Sequence, residues 1–460
     1  MSEIPAKSGA SYGESQLQEK IRACRQTPSR KFIMNSAHSL YKRMSANTRL
    51  KSFNESTESA ADFLENPQVI NKIHSLDKNL RDGAVLSRPW SGDFWALRSG
   101  TAAKRYMDPN FPAHGSWQDA YNYYLANPPL KTEQALLAPT EKYDLIVGDK
   151  NFSLTSANWS QGQSYNDEFG EVEAWMGICH GWAPASFMEP RPVRTVSIPS
   201  YVSGQTPVTF VPDDVKALAT LKWANGTVIT SDYSRPGTRF LGSRCHDKAP
   251  PTDPETDRII NPGCFDLNPG TWHIVVTNQV GSERRPFIID AAYDYEVWNQ
   301  PVSTYSYRYF NPKTMKESDV LEKSTISFKD PDFKDKFSNY RKNPNAVKLV
   351  GIVMTLSYVI ETQPRGLQVD SPDNDNERTV TYYYDLEIDG NDQIIGGEWY
   401  QNSHPDFIWM PVKESMALNQ EDMQVRNDND VIRVAPYASQ AAASPLNYVL
   451  QKIIAASAVN

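Results

Sequence analysis

The chain has 460 residues, a formal net charge of −8, 39% hydrophobic and 11% aromatic residues. Its acidic balance argues against general nucleic-acid binding, and no apolar run reaches the length of a membrane-spanning helix. The length exceeds one ordinary domain, so two or three units or one elaborated core are expected.

Residues 1–85 read as a helical N-terminal extension rich in lysine and arginine. Helical periodicity appears over Ser15–Ile21, Phe32–Met44 and Ser59–Leu80. The basic segment suits either a pro-segment lying on an acidic body or a solvated extension. The start, Met1-Ser2-Glu3-Ile4-Pro5, has no charged-then-apolar signal pattern. From Leu86 the composition turns aromatic and turn-rich, marking entry into a folded body.

Trp117–Leu125 is amphipathic, and Lys131–Leu137 is a proline-bounded stretch. The polar run 151–170 is expected to be looped. Arg194–Ile198 and Val208–Val211 predict short strands, and Asp213–Trp223 a helix with an aspartate start. The β-branched run Thr271–Gln279 predicts a strand, with Pro286–Asp290 returning as its hairpin partner. Ser303–Phe310, Ala346–Glu361 and Thr379–Ile388 predict further strands. Asp389–Asp392 predicts a tight turn, and the alanine-rich end, Ala438–Val459, a helix.

Chemistry centres on Met176-Gly177-Ile178-Cys179-His180-Gly181-Trp182. Cys179 precedes a run able to start a helix, and a thiol there faces the positive end of the helix dipole, which favours the thiolate. A thiolate nucleophile needs a base and a group to orient that base. His273 on one hairpin arm and Asp290 on the other would supply both. His404 is the rival base, with Asp406 or Glu398 as rival orienter. His180 is a poor base, because adjacent helical residues do not face each other; His38, His74, His114 and His246 read as structural or exposed. Cys245 and Cys264 flank one irregular stretch. A disulfide there would close a loop of about 20 residues, contribute roughly 3 kcal/mol and imply an oxidising compartment. No metal-ligand motif is present; the acidic run Asp370–Glu377 lacks the glycine of a calcium loop.

Several uncommon strings occur in one order: Gly177-Ile178-Cys179-His180-Gly181-Trp182-Ala183-Pro184-Ala185, Asn268-Pro269-Gly270-Thr271-Trp272-His273, Val297-Trp298-Asn299-Gln300-Pro301-Val302 and Gly396-Gly397-Glu398-Trp399. From Leu86 to Trp409 the chain resembles the transglutaminase elicitors of oomycetes and their bacterial relatives. The resemblance implies an α+β fold with a cysteine-protease-like (papain/transglutaminase-type) core and antiparallel sheet. It sets the core at 86–310 and a β-rich C-terminal region, ending in a helix, at 311–460. It implies a protein-glutamine γ-glutamyltransferase acting on glutamine- and lysine-containing proteins. Cys179 would form a thioester, His273 would exchange protons with ammonia and lysine, and Asp290 would hold the imidazole. The Cys179 N–H, with Trp159 or Trp175, is the implied oxyanion site, and Trp182 and Trp272 are candidate groove walls. Calcium dependence is compatible with the resemblance, although the chemistry needs no metal. A cysteine peptidase or glutamine deamidase with the same triad is the alternative, and a non-catalytic secreted binding protein a second one. The expected location is extracellular, with the cytoplasm as the other option.

Overall fold

The computed structural model describes residues 58–230, 237–244, 249–261, 264, 267–292, 296–341 and 343–458. The helices expected over Ser15–Ile21 and Phe32–Met44 lie outside the described residues. The helices in chain order are α1 (Ala60–Phe63), α2 (Ile73–Asn79), α3 (Trp117–Ala126), α4 (Pro139–Val147), α5 (Ser153–Phe169), α6 (Cys179–Met188), α7 (Pro212–Asn225), α8 (Pro269–Val276), α9 (Asp428–Ala442) and α10 (Asn447–Ala458). The strands are β1 (Asp82–Ala84), β2 (Val196–Ile198), β3 (Val208–Phe210), β4 (Thr227–Ile229), β5 (Thr238–Gly242), β6 (Ile288–Asp290), β7 (Asn299–Phe310), β8 (Glu317–Ser318), β9 (Thr325–Ser327), β10 (Lys348–Ile360), β11 (Asn376–Ile388), β12 (Ile394–Gly396), β13 (Phe407–Pro411) and β14 (Met416–Leu418).

A ten-stranded antiparallel sheet is ordered β12–β11–β10–β7–β6–β13–β5, with β1 and β8 added to β7 and β9 to β10. Its centre is β10, where Leu349–Tyr358 is almost continuously apolar and buried, as suits a strand covered on both faces. The sheet takes strands from all three expected segments, since β1 precedes residue 86 and β10 and β11 follow residue 310. Phe63, Leu64, Ile73, Leu76 and Leu80 pack into the core of that sheet, so 58–85 is built into the body.

One core joins the sheet to α1, α2 and α8; another joins α4, α5, α6, α7, α9 and α10. The expected loop over 151–170 is instead the 17-residue helix α5. Its buried face runs Leu154, Asn158, Gly162, Tyr165, so small and polar residues occupy positions where an apolar stripe is the usual signal. Buried Asp144 accepts from the N–H groups of Leu154 (3.1 Å) and Thr155 (3.0 Å), satisfying orphan donors of the first turn. A Cβ on Gly162 would lie 2.4 Å from the Trp117 indole nitrogen, so glycine is what lets α3 and α5 touch.

The expected strand 271–279 is α8, continued by a π-helical turn over Thr277–Ser282. Asn268 caps it by accepting from Gly270 N–H at 2.8 Å, and Pro269 takes the first position. A short run buried all round has no periodicity to separate helix from strand, and here the cap decides. The hairpin expected to carry His273 and Asp290 is therefore not formed: Asp290 ends β6, which pairs with β7 and β13.

Candidate active site at the start of helix α6

Cys179 is the first residue of α6. The turn before it is tied down by Ile178 N–H donating to Phe94 O at 2.7 Å. A Cβ on Gly177 would stand 2.5 Å from Phe94, and one on Gly181 2.2 Å from the Thr220 carbonyl of α7. These glycines let α6 press against both neighbours. As first helical residue, Cys179 has an N–H with no intrahelical acceptor.

The sulfur faces the sheet. Its S–H donates to Val297 O at 3.8 Å, and the Asn299 side-chain N–H donates to the sulfur at 3.5 Å. Asn299 reaches it because of a bulge in β7. Ser357 pairs with Thr304 but Tyr358 with Val302, leaving Ser303 as an extra residue. The extra residue reverses the alternation: Val302 joins Tyr305, Tyr307 and Tyr309 in the sheet-side core, and Asn299 turns towards α6. Asp290 lies directly opposite Asn299 on β6 and shares its face.

Asp290 is fully buried. Its Oδ1 accepts from Trp298 N–H at 2.9 Å and Ala292 N–H at 3.2 Å, and its Oδ2 has no partner. Burial raises its pKa well above the carboxylate range, with the Asp406 charge adding to the effect. Glu361, one residue past β10, receives both oxygens' bonds from Gln300 Nε2 at 2.8 Å. Burial pushes its pKa to about 7.

The expectation of a dipole-stabilised thiolate is corrected. Cys179 is pushed up to about 12 by burial first and by the Glu361 charge second, with the Asn299 hydrogen bond only partly opposing them. A helix terminus contributes a fraction of a charge, which does not offset the loss of water around a sulfur that is 2% exposed. In this closed arrangement Cys179 is a thiol.

The histidines are elsewhere. His273 is buried in the sheet-side core, with Nδ1 2.8 Å from the Tyr384 hydroxyl and its ring 4.7 Å from that of Tyr307. Desolvation lowers its pKa to about 3. His404 stacks on Trp399 with ring centroids 4.4 Å apart and is likewise lowered to about 3 by burial. His180 is buried and lowered to about 4. Among the described residues no histidine hydrogen-bonds Cys179 or Asp290. Of the rival orienters, Glu398 is paired with Arg258 at 2.8 Å, and Asp406 acts electrostatically on Asp290. His246 lies outside the described residues.

The four tryptophans divide similarly. Trp182 is buried in α6 and donates to Trp90 O at 3.2 Å; Trp175 donates to Glu173. Trp159 stacks with Tyr124 in a separate cluster with α3, and Trp272 packs edge-on to Phe287 and Tyr382 in the sheet-side core. The aromatic rings around the thiol's partners are instead Phe94, 5.4 Å from Trp298, and Trp409, whose indole donates to Asn299 Oδ1 at 2.7 Å. Asn299, Gln300 and Glu361 were missed as site residues, although two of them lie in the Val297–Val302 string.

Among the described residues no group of three or more His, Cys, Asp or Glu is arranged to hold a metal ion. The acidic run does not fit calcium: Asp370 pairs with Arg191 (2.8 Å) and Lys216 (2.9 Å), and Asp375 with Arg191 (2.5 Å). Cys179 is a free cysteine. Of the expected Cys245–Cys264 pair, Cys245 lies outside the described residues. Among the described residues no helix is long and apolar enough to cross a membrane.

A buried cysteine at a helix start thus faces a sheet that presents an amide and a carboxyl. The profile of the transglutaminase elicitor family matches residues 62–420, and the chain belongs to that family. Its fold is similar to the crystal structure of the GP42 transglutaminase from Phytophthora sojae, with a TM-score of 0.54 and 20% identity, covering 85% of this chain and 94% of that one. At that identity the likeness speaks for the fold. No curated protein gives a significant match.

Proposed function

We propose that the protein is a protein-glutamine γ-glutamyltransferase with a cysteine-protease-like centre. It joins glutamine to lysine side chains through a thioester on Cys179. The observation that carries this reading is the placement of Cys179 at the start of α6 against Asn299 and Asp290, in a chain of the transglutaminase elicitor family. The thiol attacks the glutamine carboxamide carbon, the Cys179 N–H receives the developing oxyanion, and the C–N bond breaks with release of ammonia. The S–H proton leaves with the ammonia. Asp290 is the acid of the site, with a free carboxyl oxygen to carry that proton. A lysine amine then attacks the thioester and frees the sulfur.

A base role for His273 is the competing assignment. It requires the imidazole to give up its Tyr384 hydrogen bond and leave the aromatic core. The test is incorporation of a labelled amine into a glutamine-containing protein by the full chain and by Cys179→Ala. Label joined by wild type and absent with the variant supports transfer. Free glutamate or a cleaved chain in place of the amine adduct would assign a deamidase or peptidase. Full incorporation by Cys179→Ala ends the proposal.

A further inference from the structure

Two buried side-chain oxygens on β6 and β7, the strands that face the thiol, have no partner. Asp290 Oδ2 is buried without a partner, and so is Gln300 Oε1. Gln300 is 3% exposed, and the other end of its amide is committed to Glu361. Glu361 and Asp290 both act electrostatically on the Cys179 sulfur, and Asp93 acts on Glu361. A buried orphan acceptor costs free energy unless a ligand completes it. The Glu361 carboxylate and the orphan Gln300 carbonyl together want a group that only donates. A primary ammonium, with three N–H donors and no acceptor, is such a group. An alcohol or water, which must also find a donor, fits less well.

We propose that Glu361, steadied by Gln300, binds the ammonium of the acyl acceptor beside Cys179 and takes the proton that blocks its attack. This rests on the acyl-transfer reading and extends it to the second substrate. The bound R–NH3+ gives one proton to the Glu361 carboxylate and becomes R–NH2. Its lone pair forms the C–N bond to the thioester carbon, and the C–S bond breaks. The second amine proton passes to the departing sulfur, restoring the thiol. Glu361 then releases its proton to solvent. Nothing is oxidised or reduced. A carboxyl tuned near neutrality suits such an exchange, because it can both accept and return a proton at working pH.

The experiment follows one glutamine-peptide donor with a lysine-analogue amine, alkyl cadaverine, and measures amide adduct and hydrolysed donor in the same reaction. Their ratio is the readout. Glu361→Gln, which keeps the shape, is expected to lower that ratio at least tenfold and to raise KM for the amine. Gln300→Met, which frees the carboxylate, is expected to lower it less and serves as the second variant should the first not fold. Adduct and hydrolysis falling in parallel, or a ratio unchanged in both variants, would overturn the assignment. A wild-type chain that releases no ammonia from the donor overturns the acyl-transfer reading itself, and this inference with it.

Discussion

The side-chain amide of Asn299 joins the Cys179 thiol to an aromatic wall: its nitrogen donates to the sulfur at 3.5 Å while its oxygen accepts the Trp409 indole N–H at 2.7 Å. Fixing both ends sets the amide's orientation, so the sulfur always meets a donor. That donor lowers the thiol's pKa against burial.

Asn299→Leu removes both bonds. The stranded indole N–H costs about 1–3 kcal/mol, and the thiol loses a group that favours its ionised form. Denaturant unfolding should shift by that amount, and amine incorporation should fall at least tenfold. Wild-type stability together with wild-type turnover would refute the coupling.

Cys179 alkylation should be slow in the native protein at pH 7 and climb steadily with pH, because the thiol is pushed up to about 12. Below that value, each unit rise in pH gives about tenfold more thiolate. In urea the same cysteine should react as an ordinary thiol, faster at neutral pH. Rapid native alkylation at pH 7 would mean that the closed arrangement is not the prevailing one in solution.

His273→Gln isolates a structural role. The folded His273 pKa is lowered to about 3 from 6.5, so the unfolded chain takes up a proton that the native state refuses. That contribution to stability is present above pH 6.5 and is lost as pH falls towards 3, at up to about 1.4 kcal/mol per unit. The gap in unfolding free energy between wild type and variant should therefore narrow on acidification. A gap constant between pH 7 and pH 5 would exclude a buried neutral imidazole. Turnover lost in fully folded H273Q would favour the competing base assignment.

Glu361 carries the opposite sign. Its folded pKa is raised from 4.5 to about 7, so ionisation is penalised in the native state. Stability declines as pH rises from 4.5 through 7 and levels off above. Glu361→Gln should gain stability relative to wild type between pH 4.5 and pH 8, read by thermal unfolding at both. A constant difference would place the carboxyl in water.

What the sequence disclosed follows from where the signal is local. The long strands β7, β10 and β11 show as β-branched and aromatic runs, and α7 as a helix with an aspartate start at Asp213, one residue after its first. The helix start at Cys179 was legible because small residues flank it, as a close helix crossing demands. Helix α5 was not, since its buried face uses Asn158 and Gly162, and neither was α8, whose cap outweighed its β-branched content. The site's remaining members are set by pairing across the sheet. A single extra residue, Ser303, decides which way Asn299 points, and no local pattern announces it.

Gly181 has a consequence for anyone mapping this site by random substitution. Any side chain there would meet the Thr220 carbonyl at 2.2 Å, a backbone atom that cannot swing away. A saturation screen scored on activity would therefore rank Gly181 with Cys179, although the glycine touches no reactant. On the proposed acyl-transfer role of Cys179, intolerance at the two positions would look alike and arise differently: loss of reactivity in a sound protein at Cys179, loss of soluble protein at Gly181. Abundance has to be scored beside turnover before such a map can be read as chemistry.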